Sequence, residues 1–159
     1  MSVPDIALVD KTTDLDLYSR QFYVYGASAM QRMATSRVLI CGMNGLGVEI
    51  GMYFCLIFHT RHSLSLAKNV ALAGVGTLTV QDSRVCSLFD MGTQYYITEA
   101  DLGKNRAEVT ARRLSELNPY TAVKAETGNV QSKPLTWFDN FDVTLILYFN
   151  KLIVYRLLW

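Results

Sequence analysis

The sequence predicts an α/β protein of the Rossmann type, with a mostly parallel sheet in the order β-α-β-α-β-α-β. The apolar run 38–41 leads directly into a glycine cluster at Gly42, Gly45 and Gly47, as in the strand, turn and helix that open a nucleotide-binding unit. A second apolar strand is predicted at 77–81. Helical patterns alternate with these runs, which favours parallel strands joined by right-handed crossovers.

The glycine cluster departs from the dinucleotide fingerprint G-x-G-x-x-G. Gly42 and Gly47 fit its outer places, but the middle place is Asn44. The middle glycine of the fingerprint lets the backbone approach a pyrophosphate closely, and Asn44 adds a side chain there. Asp82, after the second strand, is the candidate for the acid that binds a ribose hydroxyl.

Length and composition predict one globular domain in a reducing compartment. The 159 residues are half apolar and carry a net charge of +1, so nothing favours nucleic acid or a membrane surface as partner. Cys41, Cys55 and Cys86 lack C-x-x-C spacing, and no carboxylate or thiolate cluster accompanies His59 and His62. We therefore expect free thiols and no metal site. Neither a secretory signal nor a membrane span of about 18–20 apolar residues is expected.

The first part of the chain is predicted to precede the sheet. Residues 1–16 form a flexible acidic lead, and the aromatic segment 18–25 packs on the body of the domain. Residues 27–35 form a helix that directs Met30 and Met33 toward the core.

Residues 51–66 are predicted to be an insertion. They interrupt a helix that starts at 48–50 and resumes at 67–74, with Gly74 as its C-terminal stop. Asp82 lies 35 residues after Gly47, and 19 when the 16 residues are left out, close to the spacing of about 20 in dinucleotide sites. We favour the translation of a retained intron, with a genuine loop insertion as the alternative, because loops are normally inserted at helix ends.

The clearest helix is predicted over 101–119. Asp101 is a plausible N-cap, and Leu114 marks the inner face, with Arg106 mostly outward and Pro119 after the stop.

The rest of the chain completes the alternation. We predict a third strand at 121–126, a helical turn at 134–141 and a fourth strand at 142–147. The partial Rossmann domain then covers 17–147, incomplete at its C-terminus, and 148–159 is an atypical apolar and basic tail. Read-through past an exon end and an exposed amphipathic tail are the two explanations of that tail.

Five segments resemble the ubiquitin-activating enzymes, in particular their N-terminal, inactive adenylation half of the ThiF/MoeB-like fold. They are Y-S-R-Q-F-Y-V-Y-G (18–26), V-L-I-C-G-M-N-G-L-G-V-E-I (38–50), A-K-N-V-A-L-A-G-V (67–75), L-G-K-N-R-A-E (102–108) and S-E-L-N-P-Y (115–120). The resemblance covers roughly residues 17–147 apart from the insertion. It implies an enzyme that uses ATP and magnesium to adenylate the C-terminal glycine of ubiquitin or a ubiquitin-like protein, then forms a thioester on a cysteine.

The matching positions depart from the active half of that family. The family's asparagine–arginine pair falls on Gly92 and Thr93, its catalytic lysine falls on Arg106, and Asn44 replaces the middle glycine. Thr93 cannot supply a cation to a phosphate. The resemblance therefore implies a pseudo-adenylation half.

The vestigial nucleotide site of such a half comprises Gly42, Gly45, Gly47 and Asp82. We expect no cofactor to bind this chain itself. None of the three cysteines lies in a recognisable thioester motif.

Arg20 matches the family's arginine that reaches from the inactive half to the ATP phosphates of the active half. A planar, permanently charged guanidinium suits that role, and a surface salt bridge is the alternative. The implied partners are an active adenylation half and, through it, ubiquitin or a ubiquitin-like protein. The implied location is the cytoplasm and nucleus.

Two other functions stay open at this point. Asp82 favours an NAD-type oxidoreductase domain, although Asn44 counts against it. The broken helix also fits a non-functional, mis-spliced product with an open sheet edge that would aggregate.

Overall fold

The computed structural model describes residues 15–43, 63–148 and 151–156. Six α-helices and five strands lie in these ranges. In chain order they are α1 (Leu15–Tyr25), α2 (Ala27–Thr35), β1 (Arg37–Cys41), α3 (Ser63–Leu72), β2 (Thr77–Gln81), α4 (Leu88–Met91), α5 (Arg106–Ser115), β3 (Ala122–Glu126), α6 (Leu135–Phe138), β4 (Val143–Tyr148) and β5 (Lys151–Arg156). The predictions that fall outside the described residues concern residues 1–14, Asn44, Gly45, Gly47, Cys55, His59 and His62.

The strands form one sheet in the order β3-β2-β1-β4-β5. β1, β2, β3 and β4 are parallel neighbours, and β5 is antiparallel to β4. This arrangement confirms the predicted α/β Rossmann-like fold. The four apolar residues at the end of β1 are buried, as expected for a central parallel strand with both faces covered.

The main core lies between the sheet and helices α3 and α5. Val38 and Ile40 of β1 belong to one cluster with Leu78 of β2, Ala71 of α3 and Leu114 of α5. Small residues on both helices let them lie close to the strands. Each fully buried large aliphatic side chain contributes about 1.5–3 kcal/mol, so this layer supplies much of the stability of the domain.

The start of α5 corrects the sequence prediction. Asn105, and not Asp101, is the N-cap, since its Oδ1 accepts hydrogen bonds from the backbone N–H groups of Ala107 (2.8 Å) and Glu108 (3.3 Å). Asp101 instead belongs to a short 3-10 turn, where its carboxylate accepts from Thr98. A turn at Gly103, with φ of +79°, separates the two elements. The single helix predicted over 101–119 therefore combined two separate elements, the 3-10 turn that contains Asp101 and the helix α5.

Few of the described side chains of α1 and α2, the two helices before the sheet, are buried in the domain. α2 has the predicted bounds, and Met30 is buried in it. The aromatic segment forms α1, in which Tyr18 is buried against the body as expected. Met33 is half-buried.

α3 begins at Ser63, so its first four residues, 63–66, belong to the predicted insertion. It ends in a turn at Gly74, whose φ is +81° and whose N–H donates to the Ala71 carbonyl at 3.2 Å. Gly74 is therefore the predicted C-terminal stop. Whether 51–66 were inserted stays a prediction.

The predicted tail contains β5. Its six residues pair antiparallel with β4, from Val143 opposite Arg156 to Tyr148 opposite Lys151. β5 lies at an edge of the sheet, next to β4, and this strand was not predicted from the sequence.

Two kinds of feature are absent from the described residues. None of their helices is long and apolar enough to cross a membrane. They also hold no group of three His, Cys, Asp or Glu side chains that could bind a metal ion.

Gly74→Ala should lower the free energy of unfolding by about 2–4 kcal/mol. A Cβ there would lie 2.8 Å from Cζ of the buried Tyr18, in addition to the positive φ. Gly103→Ala is the control, since its φ is +79° but nothing lies within 4 Å of its Cβ position. It should cost only about 1 kcal/mol. Denaturant unfolding of both variants measures the loss in the free energy of unfolding. Equal losses would show that the Tyr18 ring moves aside at no cost.

Candidate functional site

The candidate site lies where β1 and β2 end side by side. Gly42 follows β1 with φ of +89°, and its N–H donates to the carbonyl of Gln81 at 2.7 Å. Asp82 follows β2, and its Oδ2 accepts from the Met43 N–H at 2.9 Å. Because parallel strands end at the same edge of a sheet, the fold brings Gly42 and Asp82 close together.

The Asp82 carboxylate is occupied by donors of the chain itself. It is only 3% exposed. Besides the Met43 N–H on Oδ2, Oδ1 accepts from the Arg84 backbone N–H (2.9 Å) and Nε (3.3 Å). Nη1 of Arg106 lies 3.9 Å from Oδ2. A ribose hydroxyl would have to displace these partners.

Arg106 corrects a second prediction, because its side chain is buried and not outward. It is 8% exposed, and its Nη2 and Nε donate to Oδ2 of Asp90 at 2.7 and 3.1 Å. The first turn of α5 faces the connection between β2 and α5, which carries Asp82 and Asp90. A buried guanidinium is tolerated there because both carboxylates lie against it.

Asp90 is held in its charged form. Burial raises the pKa of this carboxyl, but hydrogen bonds from the Ser87 hydroxyl (2.7 Å) and backbone N–H (2.8 Å), together with Arg106, outweigh that effect and lower it. Ser87 and Asp90 form a reciprocal capping box at the start of α4.

A second capping box repeats this arrangement 11 residues later. Asp101 accepts from the Thr98 hydroxyl at 2.7 Å and pairs with Lys104 (3.1 Å) and Arg112 (3.0 Å). The Thr98 hydrogen bond, followed by that of Lys104, lowers the pKa of Asp101 far below its ordinary value. Arg106 and Arg112, both on α5, therefore each pair with the aspartate of one capping box in the connection between β2 and α5.

The sequence analysis missed these boxes, although the spacing S-x-x-D at Ser87–Asp90 and T-x-x-D at Thr98–Asp101 is visible in the sequence. Such spacing marks helix starts. What the pattern cannot show is that both acids would face arginines of one helix.

Positions 92 and 93 offer little to a nucleotide. Gly92 is exposed and has no side chain. The Thr93 hydroxyl donates within its own turn, at 3.3 Å to the Phe89 carbonyl and 3.4 Å to that of Asp90. With Asp82 and Arg106 already paired, the described residues of this edge do not fit ATP, and we derive no step through a nucleotide bound here.

The two described cysteines are buried and unreactive. Burial, followed by the charge of Asp82, raises the pKa of Cys41 to about 12. Burial and the Asp90 charge also raise the pKa of Cys86. Both thiols stay protonated near neutral pH, and a protonated thiol is a poor nucleophile.

Arg20 is displayed away from the body of the domain. Among residues 17–25 of α1, the half-buried or buried residues are Tyr18, Gln21 and Phe22, which share one helix face. Arg20 is two residues, or about 200°, from Tyr18 around the helix. Its side chain is exposed and forms no hydrogen bond or ion pair with Gly42 or Asp82. The fold therefore does not bring this predicted residue to the candidate site at Gly42 and Asp82.

Arg106→Gln should lower the free energy of unfolding by about 3 kcal/mol, because it leaves the buried Asp90 carboxylate without its cation. Arg113→Gln makes the same change in the same helix, where the partner Glu116 lies at 3.7 Å and the pair is more exposed. That control should cost less than about 1 kcal/mol. Urea unfolding measures both, and equal effects would show that the buried Arg106 pair contributes no more to stability than the exposed Arg113 pair.

Stability should fall with acidification below about pH 5. The folded-state pKa values of Asp90 and Asp101 are lowered, so their stabilisation is present above the unfolded-state pKa of about 4 and lost as pH falls below it. Denaturant midpoints between about pH 7 and pH 3 measure this loss. Asp101→Asn should flatten the fall of stability with decreasing pH, whereas the control Asp139→Asn, at an exposed position, should not. If the Asp101→Asn variant lost stability on acidification as steeply as the unaltered chain, the assignment would be contradicted.

Comparison with known proteins places the chain in a family. The ThiF family matches residues 64–147. Human ubiquitin-like modifier-activating enzyme 1 is 41% identical over 142 residues, which is 87% of this chain and 12% of the human protein. Rat SUMO-activating enzyme subunit 1 is 37% identical over 139 residues, 87% of this chain and 35% of that subunit. The chain thus spans a minor part of the relatives it matches.

Solved structures agree in fold. E. coli tRNA N6-threonylcarbamoyladenosine dehydratase in complex with AMP superposes with a TM-score of 0.66 at 19% identity, covering 87% of this chain and 52% of the other. E. coli MccB with MccA-N7isoASN gives 0.60 at 20% identity, covering 84% and 36%. At such identities the likeness concerns the fold alone. Together with the match over more than half of its length, these comparisons show that the chain belongs to the ThiF family, as a relative of the ubiquitin-like modifier-activating enzymes.

Proposed function

We propose that this chain is the pseudo-adenylation half of a ubiquitin-like-modifier-activating enzyme, which supports an active half and lends it Arg20. The observation that carries the proposal is the pairing of Asp82 and Asp90 with Arg84 and Arg106. Adenylation needs cations and donors preorganised for phosphate charge. Here two carboxylates and two guanidinium groups of the chain engage one another.

The chemistry of the described cysteines supports the same proposal. The relatives' names refer to activation of ubiquitin-like modifiers, and thioester formation requires an accessible thiolate. Cys41 and Cys86 are buried and have raised pKa values. Any thioester step would therefore use a cysteine other than these two.

The exposure of Arg20 supports the proposal that this residue acts on a partner protein. Its helix turns it away from the body, where a fixed guanidinium can meet phosphate charge in another domain. We propose that the partner is an active adenylation half that uses ATP and magnesium, and that ubiquitin or a ubiquitin-like protein is its substrate. The proposed location is the cytoplasm and nucleus.

The NAD-type alternative requires Asp82 to accept from a ribose. In the structure its oxygens already accept from Met43 and Arg84. Titration of the full chain with NAD separates the two functions, because saturable binding would favour the alternative.

Arg20→Ala should slow ATP–pyrophosphate exchange on the order of 100-fold. The assay adds the full chain to the active adenylation half of a ubiquitin-activating relative, and calorimetry records the affinity of the two proteins. The substitution removes a cation from the transition state but leaves the helix in place, so affinity should stay within about twofold. Arg32→Ala, at an exposed arginine of α2, is the matched control and should leave the rate unchanged.

Two results would overturn this proposal. An unchanged exchange rate with Arg20→Ala would remove the role of the arginine. Failure of the unaltered chain to bind or stimulate the active half would remove the partnership itself.

A further inference from the structure

The N-terminal helix α1 is attached to the domain through one deeply buried side chain. Within residues 17–25, Tyr18 is 3% exposed, whereas Gln21 and Phe22 are half-buried and the others more open. Tyr23, on the outer side, is 92% exposed. The orientation of the helix therefore depends mainly on what holds Tyr18.

The ring of Tyr18 is held by close packing. It lies directly over Gly74, where a Cβ would approach Cζ and Oη to 2.8 Å. Tyr120 packs edge-on against it, with 6.4 Å between ring centroids. The turn after α3 thus forms a shallow seat for this ring, and only glycine leaves room for it.

The hydroxyl of Tyr18 is held by a buried amide. Asn118 is 2% exposed, and its Nδ2 donates to Oη of Tyr18 at 2.6 Å and to the Ala71 carbonyl at 2.7 Å. Its Oδ1 accepts from the Tyr120 N–H at 3.0 Å. Thr121 donates to the same Ala71 carbonyl at 3.0 Å. One side chain therefore ties α1 to the end of α3 and to the entry of β3.

We propose that Tyr18 and Asn118 are positioning residues. They set the rotation of α1 about its axis and its distance from the body of the domain, and these two quantities determine the position of Arg20. This inference rests on the proposed function of Arg20. Packing alone fixes the plane of the ring, whereas the hydrogen bond fixes the position of its far end. A catalytic group must be held within about 0.5 Å of its productive position, so the bond to Asn118 controls the usefulness of Arg20.

A purely structural role predicts something different. If the bond only stabilised the fold, its loss would reduce activity by the same factor whether or not Arg20 is present. If it acts through Arg20, its loss has no effect once Arg20 is gone. The two roles are therefore separated by a double-mutant cycle.

The test uses Tyr18→Phe, which keeps the ring over Gly74 and removes the hydroxyl that receives the Asn118 hydrogen bond. Tyr23→Phe removes an exposed hydroxyl from the same helix and is the matched control. Each is assayed by ATP–pyrophosphate exchange in the complex of the full chain with the active half. Tyr18→Phe should lower kcat about fivefold with KM for ATP within about twofold, and Tyr23→Phe should change neither.

The same substitutions are then made in the Arg20→Ala chain. There Tyr18→Phe should cause no further loss of kcat. Native-state hydrogen exchange of the full chain alone gives a readout that does not depend on activity, and the amides of α1 should exchange about fivefold faster in Tyr18→Phe.

The outcomes are distinguishable. If Arg20→Ala slows exchange but Tyr18→Phe does not, or if Tyr18→Phe costs the same factor in both backgrounds, the positioning role is overturned and the proposed function stands. If Arg20→Ala has no effect, the proposed function fails and the positioning role fails with it. Faster amide exchange in α1 would then show a structural anchor only.

Discussion

Arg106 places a guanidinium group at the buried first turn of α5, where its charge is unfavourable both for burial and for the helix dipole. Asp90 and Asp82 offset that cost, because the connection between β2 and α5 places both carboxylates next to the guanidinium group. Asn105 completes the joint, since it caps α5 and its Nδ2 donates to the Asp82 carbonyl at 2.9 Å. The candidate site owes its character to this cluster: the polar groups that could bind a nucleotide are structural partners of one another.

The two ends of the sheet are held by different means. At the carboxyl end the bonds are charge-assisted, and those to Asp90 weaken when its carboxylate is protonated. At the opposite end neutral groups meet around Asn118, where an amide, a phenol and backbone groups satisfy one another away from water. Acidification should therefore loosen the contacts of Asp90 at the candidate site before it loosens the seat of α1.

Much of the fold could be predicted because its signals are local. The apolar runs of β1 and β2, the bounds of α2 and the stop at Gly74 all follow from periodicity and backbone preference. The joined helix over 101–119 was wrong because two capping residues, Asp101 and Asn105, compete four residues apart. Their assignment depends on which partners lie nearby. β5 was missed because strand pairing with β4 is a non-local choice.

The sequence by itself determined the family, the alternation of strands and helices, and the approach of Gly42 to Asp82, because motif spacing and parallel strand order are written along the chain. Only the tertiary structure decided that Arg106 is buried and that the Asp82 carboxylate is already engaged. It also decided that Tyr18 meets Asn118 across 100 residues of sequence. These features depend on which side chains become neighbours after the sheet forms, and such neighbours share no local pattern that a sequence could display.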